Sequence, residues 1–391
     1  MNSGKGLGIQ PSVLRWARES AGMTVDEVAV RMKRRPGEID AWENGSGSPT
    51  YSQLESLAYK HYKRPLAVFF LPAPPKESKP KHEFRTLPAG ELEGLSRDTH
   101  LHIRKAHAYQ IGLAELYNGI NPAPVRLWER VGLALGDNVS AKAAEIRSLL
   151  GIDMPRQSSW DSDEVALREW RQAIEAAGIF VFKDSFKQRV LSGFCLRDDN
   201  FPLVYINNST TKTRQIFSLL HEVAHILFSV NGISKFDQAY LDTLPQAEKR
   251  LEIFCNAIAA EVLIPSSEFQ KDIGGLPNSV EAVPEKIFIT LAHRFGVSRE
   301  AILRRFLDLG RVTPAFYESK AQEWTAQIKK KAGGGSWVAS TGAYLSDRLL
   351  RDVFARRSRD QISVEQAADY LGVKSRNVGA LEELALKRKF A

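Results

Sequence analysis

Cysteine is scarce in this sequence, and long apolar runs are missing. Two cysteines, Cys195 and Cys255, occur among 391 residues. That number is too small for a disulfide framework and is typical of a reducing compartment. No stretch reaches the about 18 consecutive apolar residues that a membrane helix needs. Residues 1–11 contain no apolar core, so no signal peptide is expected. We therefore expect a cytoplasmic protein with no membrane contact.

Neither sign of charge dominates the chain. Charged residues make up 26% of it, hydrophobic residues 43%, and the net charge is +8. This composition is that of folded globular domains and excludes a largely disordered chain. The small basic excess permits contact with nucleic acid or with an acidic partner but does not require it. A chain of this length is too long for one compact core and predicts two or three domains.

Composition and turn signals divide the chain into four regions. Residues 9–72 show the spacing of short helices, with a capping box at Thr24 and Glu27. Proline and lysine follow residue 72, and a glycine run at 333–335 precedes the tail. We predict a domain of short helices over 1–72 and a linker with a helical connector over 73–160. A third domain over 161–332 and a helical module over 333–391 complete the chain.

The third region predicts an α+β, mainly helical fold. A helix over 163–177 precedes three short strands, and the helical period then returns. The strands are predicted at 178–182, 190–196 and 203–206, and the helices at 212–229, 246–263 and 283–308. A small three-stranded sheet followed at once by helices is an α+β pattern. In the tail, Ser363 and Gln366 form a second capping box, which predicts a small helical module.

The sequence His221-Glu222-Val223-Ala224-His225 predicts a metal site. Histidines four positions apart on a helix project from the same face, so both imidazoles can reach one zinc ion. Glu222 lies beside the first histidine, where its carboxylate can take a proton from water held by that ion. We predict His221 and His225 as zinc ligands and Glu222 as the catalytic base.

A third ligand is predicted on the helix that follows. Glu252 and Asn256 interrupt an otherwise apolar segment and lie four positions apart. A carboxylate on an apolar face costs several kcal/mol unless it is paired or bound to metal. We therefore assign Glu252 as the third ligand and Asn256 as an outer or packing group. Cys255 is interpreted as a small buried hydrophobic residue.

The remaining candidate groups have no such spacing. Tyr205 and Tyr240 are the candidates for a phenol that polarises the scissile carbonyl, and nothing in the sequence chooses between them. Six further histidines are interpreted as surface or packing residues: His61, His82, His100, His102, His107 and His293.

Residues Arg214–His225 and Glu252–Pro265 together resemble the ImmA/IrrE family of metallopeptidases. The resemblance continues at Phe295–Phe306, which is similar to the family's downstream helical segment. It implies a gluzincin-like core in which two histidines and a glutamate bind zinc and the motif glutamate is the base. It also implies a substrate, since such peptidases typically cleave one transcriptional repressor. Cleavage then releases genes for stress response or mobile-element transfer.

Residues Trp16–Gly22 and Trp42–Gly45 are similar to the XRE/Cro-type helix-turn-helix that many family members carry in front. The first residues of the second helix of such a unit meet base edges. Proline and glycine offer no side-chain hydrogen bonds there, and phosphates repel carboxylates. The residues at these positions are Pro36, Gly37, Glu38, Asp40 and Ala41.

The basic turn Lys33, Arg34 and Arg35 can still hold phosphates. Two roles therefore stay open for the front domain, namely weak DNA contact and protein docking. The same two roles stay open for the tail segment Lys374–Arg376.

Two functions from different classes remain. The first is a zinc-dependent endopeptidase that cleaves a repressor-type regulatory protein. The second is a DNA-binding transcriptional regulator in which zinc is structural and proteolysis is absent. Three ligands with an adjacent Glu222 favour the first function, because a structural zinc site is normally closed by a fourth protein ligand.

Overall fold

The computed structural model describes residues 8–62, 64, 66–75, 95–188, 190–235, 242–327 and 337–389. The chain forms two compact units, Met1–Lys105 and Ala106–Ala391. Most of the proline- and lysine-rich linker and the glycine run near residue 333 lie outside the described residues. The four domain boundaries given above therefore stay predictions.

The first unit consists of short helices around one apolar core. The helices are α1 Pro11–Ser20, α2 Val25–Met32, α3 Pro36–Asn44 and α4 Tyr51–Glu55, followed by a π-helical segment Ser56–Tyr62 and a 3-10 turn Leu66–Phe70. The capping box of α2 is confirmed, because Thr24 accepts a hydrogen bond from the Glu27 amide at 3.2 Å and the Thr24 amide donates to Glu27 at 2.9 Å. The nearly buried pair of Arg18 and Glu43, 2.7 Å apart, joins α1 to α3.

The second unit is mainly helical. Its first helix, α5, begins at Arg97 and so crosses the division between the units. The helices are α5 Arg97–Leu116, α6 Leu127–Arg130, α7 Val139–Leu150, α8 Met154–Ser158, α9 Asp163–Ala176, α10 Lys212–Leu227, α11 Gln246–Leu263, α12 Ser266–Ile273, α13 Glu285–Phe295, α14 Arg299–Asp308, α15 Pro314–Ala326, α16 Trp337–Tyr344, α17 Asp347–Arg357, α18 Val364–Leu371 and α19 Val378–Lys389. Among the described residues, no helix has the length and apolar character to cross a membrane.

One predicted helix proves to be two. The segment 283–308 was predicted as a single helix, but α13 ends at Gly296, whose φ is +61°. A new helix, α14, then starts with Ser298 as its cap, where the hydroxyl accepts a hydrogen bond from the Ala301 amide at 3.1 Å. A left-handed glycine followed by a serine cap ends one helix and begins another.

A four-stranded sheet lies among these helices, in the order β1-β3-β2-β4. The strands are β1 Phe180–Asp184, β2 Leu191–Leu196, β3 Leu203–Asn207 and β4 Gly232–Lys235. Strand β1 pairs parallel with β3, and β2 pairs antiparallel with β3 and β4. The α+β, mainly helical class is confirmed. The predicted sheet lacked β4, because four residues after a helix show too little alternation to predict a strand.

Helices and aromatic side chains cover opposite faces of the sheet. Val204 and Ile206 share an apolar core with α9 and α10. Side chains alternate along a strand, so Tyr205 points to the other face, where its ring stacks on Phe194 at 5.2 Å. Tyr109 of α5 stacks on this face too, 4.1 Å from Phe182. The sheet is therefore buried on both sides, and α10 is held against one of them.

The tail helices α16–α19 pack onto the rest of the second unit. Arg171 of α9 donates hydrogen bonds to the carbonyls of Ala343 at 3.1 Å and Leu345 at 2.8 Å. Glu175, one turn later, accepts one from the Arg348 amide at 3.0 Å. Both α9 side chains are buried. The capping box predicted at residue 363 is confirmed. The described tail is therefore anchored to α9 by buried polar contacts.

Candidate metal centre

Helix α10 positions the two histidines. Thr211 caps its N-terminus by accepting a hydrogen bond from the Arg214 amide at 3.4 Å. Almost the whole second half of the helix is buried, which fixes the rotation of its side chains. His221 and His225 lie one turn apart, and their Nε2 atoms are 3.0 Å from each other. Two imidazole nitrogens thus converge on one point, as their spacing predicts.

Helix α11, packed against α10, provides the third donor. Glu252 Oε2 lies 3.2 Å from His221 Nε2, and Glu252 Oε1 lies 3.2 Å from His225 Nε2. One donor atom from each of the three residues falls within 4.8 Å of the others. Two imidazole nitrogens and one carboxylate oxygen in this proximity fit the donor set of zinc in a catalytic site. The structure thus brings together the three side chains that the sequence singled out.

The close contact between the donors shifts the pKa values of Glu252 and His225. Burial acts to raise the pKa of Glu252, but His225 and His221 outweigh it and hold that pKa well below its usual range. Burial likewise acts to lower the pKa of His225, yet Cys255 and Glu252 raise it well above the ordinary value. Metal binding to such a cluster displaces protons, because imidazole binds metal in its neutral form.

Glu222 lies inside the protein beside the donor cluster. Its side chain is 0% exposed, whereas His221 and Glu252 keep 4% and 6% of their surface. The whole donor cluster is therefore buried. Buried Cys195 is a neighbour of the Glu222 carboxylate, and burial and Glu222 together raise the pKa of that thiol. Burial also raises the pKa of Cys255. Cys255 is buried, which fits the packing role predicted for it.

Strand β4 contributes a feature that the sequence analysis missed. Gly232 pairs with Cys195 in the ladder, and its amide donates a hydrogen bond to the Cys195 sulfur at 3.2 Å. A Cβ atom at position 232 would lie 2.7 Å from Cγ of His225 and 2.8 Å from Cδ2. Only glycine lets the strand pass this close to the imidazole. The Asn231-Gly232 pair, a common turn signal, was the one hint of this in the sequence.

We expect Gly232→Ala to weaken zinc binding about 10- to 100-fold, the usual loss when an outer contact of a ligand is disturbed. The added methyl group must push the buried His225 ring out of its position, because the two cannot coexist at 2.7 Å. Competition with a fluorescent zinc chelator measures the affinity. Gly275→Ala is the control, since a Cβ there meets no atom within 4 Å. Equal zinc affinity of the two variants would contradict this positioning role.

The other candidate residues named from the sequence are not members of the three-residue donor cluster. Tyr205 is on the aromatic face of the sheet, opposite to α10, so its phenol is not placed to polarise a carbonyl at the metal centre. Tyr240 lies outside the described residues, and so does His82. Asn256 is half-buried on α11. His102 pairs with Asp98 at 3.2 Å. Within the described ranges, the cluster that can hold a metal consists of the three predicted ligands.

Two histidines and a glutamate around one point, with a buried glutamate next to the first histidine, indicate a protein of metallopeptidase type. A comparison with protein families agrees with this class of protein and gives one matching family. Residues 174–307 match a peptidase family described as the IrrE N-terminal-like domain. This segment spans the sheet, α10, α11 and all four site residues, so the match supports the resemblance to ImmA/IrrE proteins. A search of curated proteins found no match.

Proposed function

We propose that this chain is a zinc-dependent, site-specific endopeptidase that cleaves a repressor-type regulatory protein. It thereby controls stress-response or mobile-element genes. The main support is the cluster of His221, His225 and Glu252, whose donor atoms lie within 4.8 Å of one another. The buried Glu222 beside it supplies the second element that peptide hydrolysis requires. The cytoplasm is the proposed location, because both cysteines are free.

The chemistry divides between the metal and the protein. Bound zinc would polarise the scissile carbonyl and lower the pKa of water. His221, His225 and Glu252 would hold the ion. Glu222 would accept a proton from the attacking water and deliver it to the leaving amine. Its complete burial favours this role, since electrostatic interactions are stronger away from bulk water.

The alternative is a zinc site with a purely structural role, and the number of protein ligands argues against it. Structural zinc sites are normally closed by four protein ligands, whereas a catalytic site keeps one position open. Within the described residues, three side chains of suitable chemistry meet at this point. Cys255 is not among the described residues whose donor atoms meet within 4.8 Å at this point.

The front domain has a separate proposed role. We interpret α2 and α3 as an XRE-like helix-turn-helix that either docks a protein or touches DNA weakly. Lys33, Arg34 and Arg35 are exposed at the turn, where they suit phosphates. The acidic residues of α3 oppose tight binding to DNA. Docking of the repressor substrate is therefore compatible with this surface.

The direct test is to mix the zinc-loaded protein with repressors encoded beside it and to measure intact masses. We expect one defined cut in one repressor, and none after a chelator has removed the metal. Restored cleavage on adding zinc back is the control for irreversible damage. Absence of a cut in every tested repressor, or a cut that survives complete removal of metal, would contradict the proposal.

A further inference from the structure

Strand β1 carries a buried lysine, Lys183, that the metal centre does not use. The residue keeps 4% of its surface exposed. Among the described residues, no hydrogen bond or ion pair reaches its amine. Lysine is almost never buried to this extent unless it is paired. A buried polar group without a partner calls for a functional or structural explanation.

A second buried cation lies beside this amine, at the place where the tail docks. Strand β1 is at one edge of the sheet and packs against α9, α16 and α17. Arg171 of α9 donates a hydrogen bond to the Val181 carbonyl at 3.1 Å, and its charge acts on the Lys183 amine. Arg171 is 5% exposed, and its Nε has no hydrogen-bond acceptor among the described residues. Two deeply buried cationic side chains, each with an unused donor, therefore lie together here.

The surrounding charges disfavour an ammonium ion at Lys183. Arg171 of α9 and Lys212 of α10 oppose its protonation, whereas Glu164 and Asp347 favour it with a weaker effect. Burial is the largest cause, and with the two cations it lowers the pKa of Lys183 to about 6. The amine is therefore mostly neutral at pH 7. Burial and a neighbouring cation are the two conditions that make a lysine amine nucleophilic.

We propose that Lys183 is a modification site at which carbon dioxide forms a reversible carbamate. The lone pair of Nζ attacks the carbon of CO2, one C–O π bond becomes a lone pair on oxygen, and the nitrogen releases a proton to water. The product is a carbamate anion, and the step needs no oxidant and no further reactant. Arg171 and Lys212 favour this anion for the same reason that they disfavour ammonium. The unused N–H of Arg171 Nε is a donor for one of its oxygens.

The burial of Lys183 selects carbon dioxide among the electrophiles that react with amines. A side chain with 4% exposure is out of reach of bulky acyl donors and aldehydes. Carbon dioxide is small and uncharged, and it reacts only with a neutral amine. An exposed lysine with the ordinary pKa of about 10.4 is neutral in roughly one molecule in a thousand at pH 7.4. A carbamate at Lys183 would place a negative charge at the interface that anchors the tail.

The test traps the carbamate on the full-length protein. The protein is equilibrated with ¹³C-labelled bicarbonate and CO2 at pH 7.4 and treated with triethyloxonium ion, which converts carbamates to stable ethyl esters. Peptide mass spectrometry then locates the adducts. We expect the adduct on Lys183 to exceed that on any exposed lysine by about tenfold or more, because so few exposed lysines are neutral. The α-amino group, whose ordinary pKa is about 7.7–8.0, also reacts and is identified by its own peptide.

Two lysine variants and a denatured sample are the controls. Lys183→Met keeps the length of the side chain without the amine, so a ¹³C carbamate resonance of wild type should be lost. Lys374→Met removes an exposed lysine and should keep that resonance. In denaturant the excess on Lys183 should vanish, since the amine is then hydrated like any other. Thermal melting checks the fold of both variants. If Lys183→Met fails to fold, the comparison of native with denatured wild type decides alone.

Charge variants test the electrostatic part of the proposal. Lys212 and Glu164 form an ion pair at 3.0 Å, and they act on Lys183 with opposite sign. Lys212→Gln should weaken the apparent affinity for CO2 by roughly two- to fivefold, and Glu164→Gln should strengthen it by a similar factor, as expected for one charge at a partly exposed position.

The pH profile gives an independent readout. At a fixed bicarbonate concentration the carbamate fraction follows the neutral fraction of the amine. It should therefore rise through pH 6 and stay level above pH 7, because the pKa of Lys183 is about 6. A profile that still rises at pH 9 is that of an ordinary lysine and would overturn the proposal.

The proposal also fails if native wild type carries no adduct on Lys183, or carries no more there than on its exposed lysines. Bicarbonate held without a covalent bond gives no trapped ester and so counts against it too. None of these measurements involves cleavage or metal, so their failure leaves the proposed peptidase function untouched.

Discussion

Glu222→Gln should leave the metal centre intact and remove cleavage. The amide keeps the size of the carboxylate and can still form hydrogen bonds, but it cannot accept the proton of the attacking water. Loss of a general base typically costs about 10²–10⁴-fold in rate. The rate of repressor cleavage under single-turnover conditions measures this loss. Zinc content by elemental analysis should stay at the wild-type level, because the three donor atoms come from His221, His225 and Glu252.

Glu318→Gln is the matched control, since it makes the same substitution at an exposed glutamate of α15. That variant should cut as fast as wild type. A Glu222→Gln protein that cleaves at the wild-type rate would show that another group serves as the base. One that still relieves repression in cells without cutting would favour the DNA-binding regulator over the peptidase.

Glu252→Ala should abolish zinc binding at the concentrations that load wild type. Loss of an outer contact lowers metal affinity by about 10- to 100-fold. Loss of a direct ligand should lower it further, because only two imidazoles then remain to bind the ion. The variant also removes the carboxylate that lies 3.2 Å from each histidine. Zinc stoichiometry after gel filtration and titration against a chelator of known affinity both measure the effect.

Glu318→Ala serves as the control for this substitution. Glu252→Gln separates charge from shape, since it keeps one oxygen but loses the negative charge that raises the pKa of His225. We expect it to bind zinc more tightly than the alanine variant and less tightly than wild type. Stoichiometric zinc in Glu252→Ala would show that the third ligand is a different residue.

The grouping of His221, His225 and Glu252 was predictable from the sequence because it depends on helical spacing. His221 and His225 share a face at four positions apart on any α-helix. Glu252 stands out since a carboxylate in an apolar helix needs a partner. The capping boxes at Thr24 and Ser363 could be predicted for the same reason. Each is a local pattern in which two residues three positions apart exchange hydrogen bonds.

Features that depend on contacts between distant segments were not predictable in this way. Gly232 and Cys195 are 37 positions apart and meet because β4 pairs with β2. A single sequence with a four-residue edge strand gives little signal for such pairing. Tyr205 was a candidate because a phenol can polarise a carbonyl, yet the face of a strand residue is set by the register of the sheet. That register places it in the aromatic layer.

Because the tail is anchored on α9, the stability of the tail helices is coupled to zinc binding at the metal centre. Arg171 and Glu175 hold the tail through buried hydrogen bonds, and the same helix packs against α10, which carries the histidines. Segments joined in this way unfold together, so a ligand that binds the folded form stabilises all of them. Zinc at about 100 times its Kd contributes about 2.7 kcal/mol to such a unit. Bound zinc would therefore raise the folded fraction of the described tail helices as well, although none of the three predicted ligands lies in them.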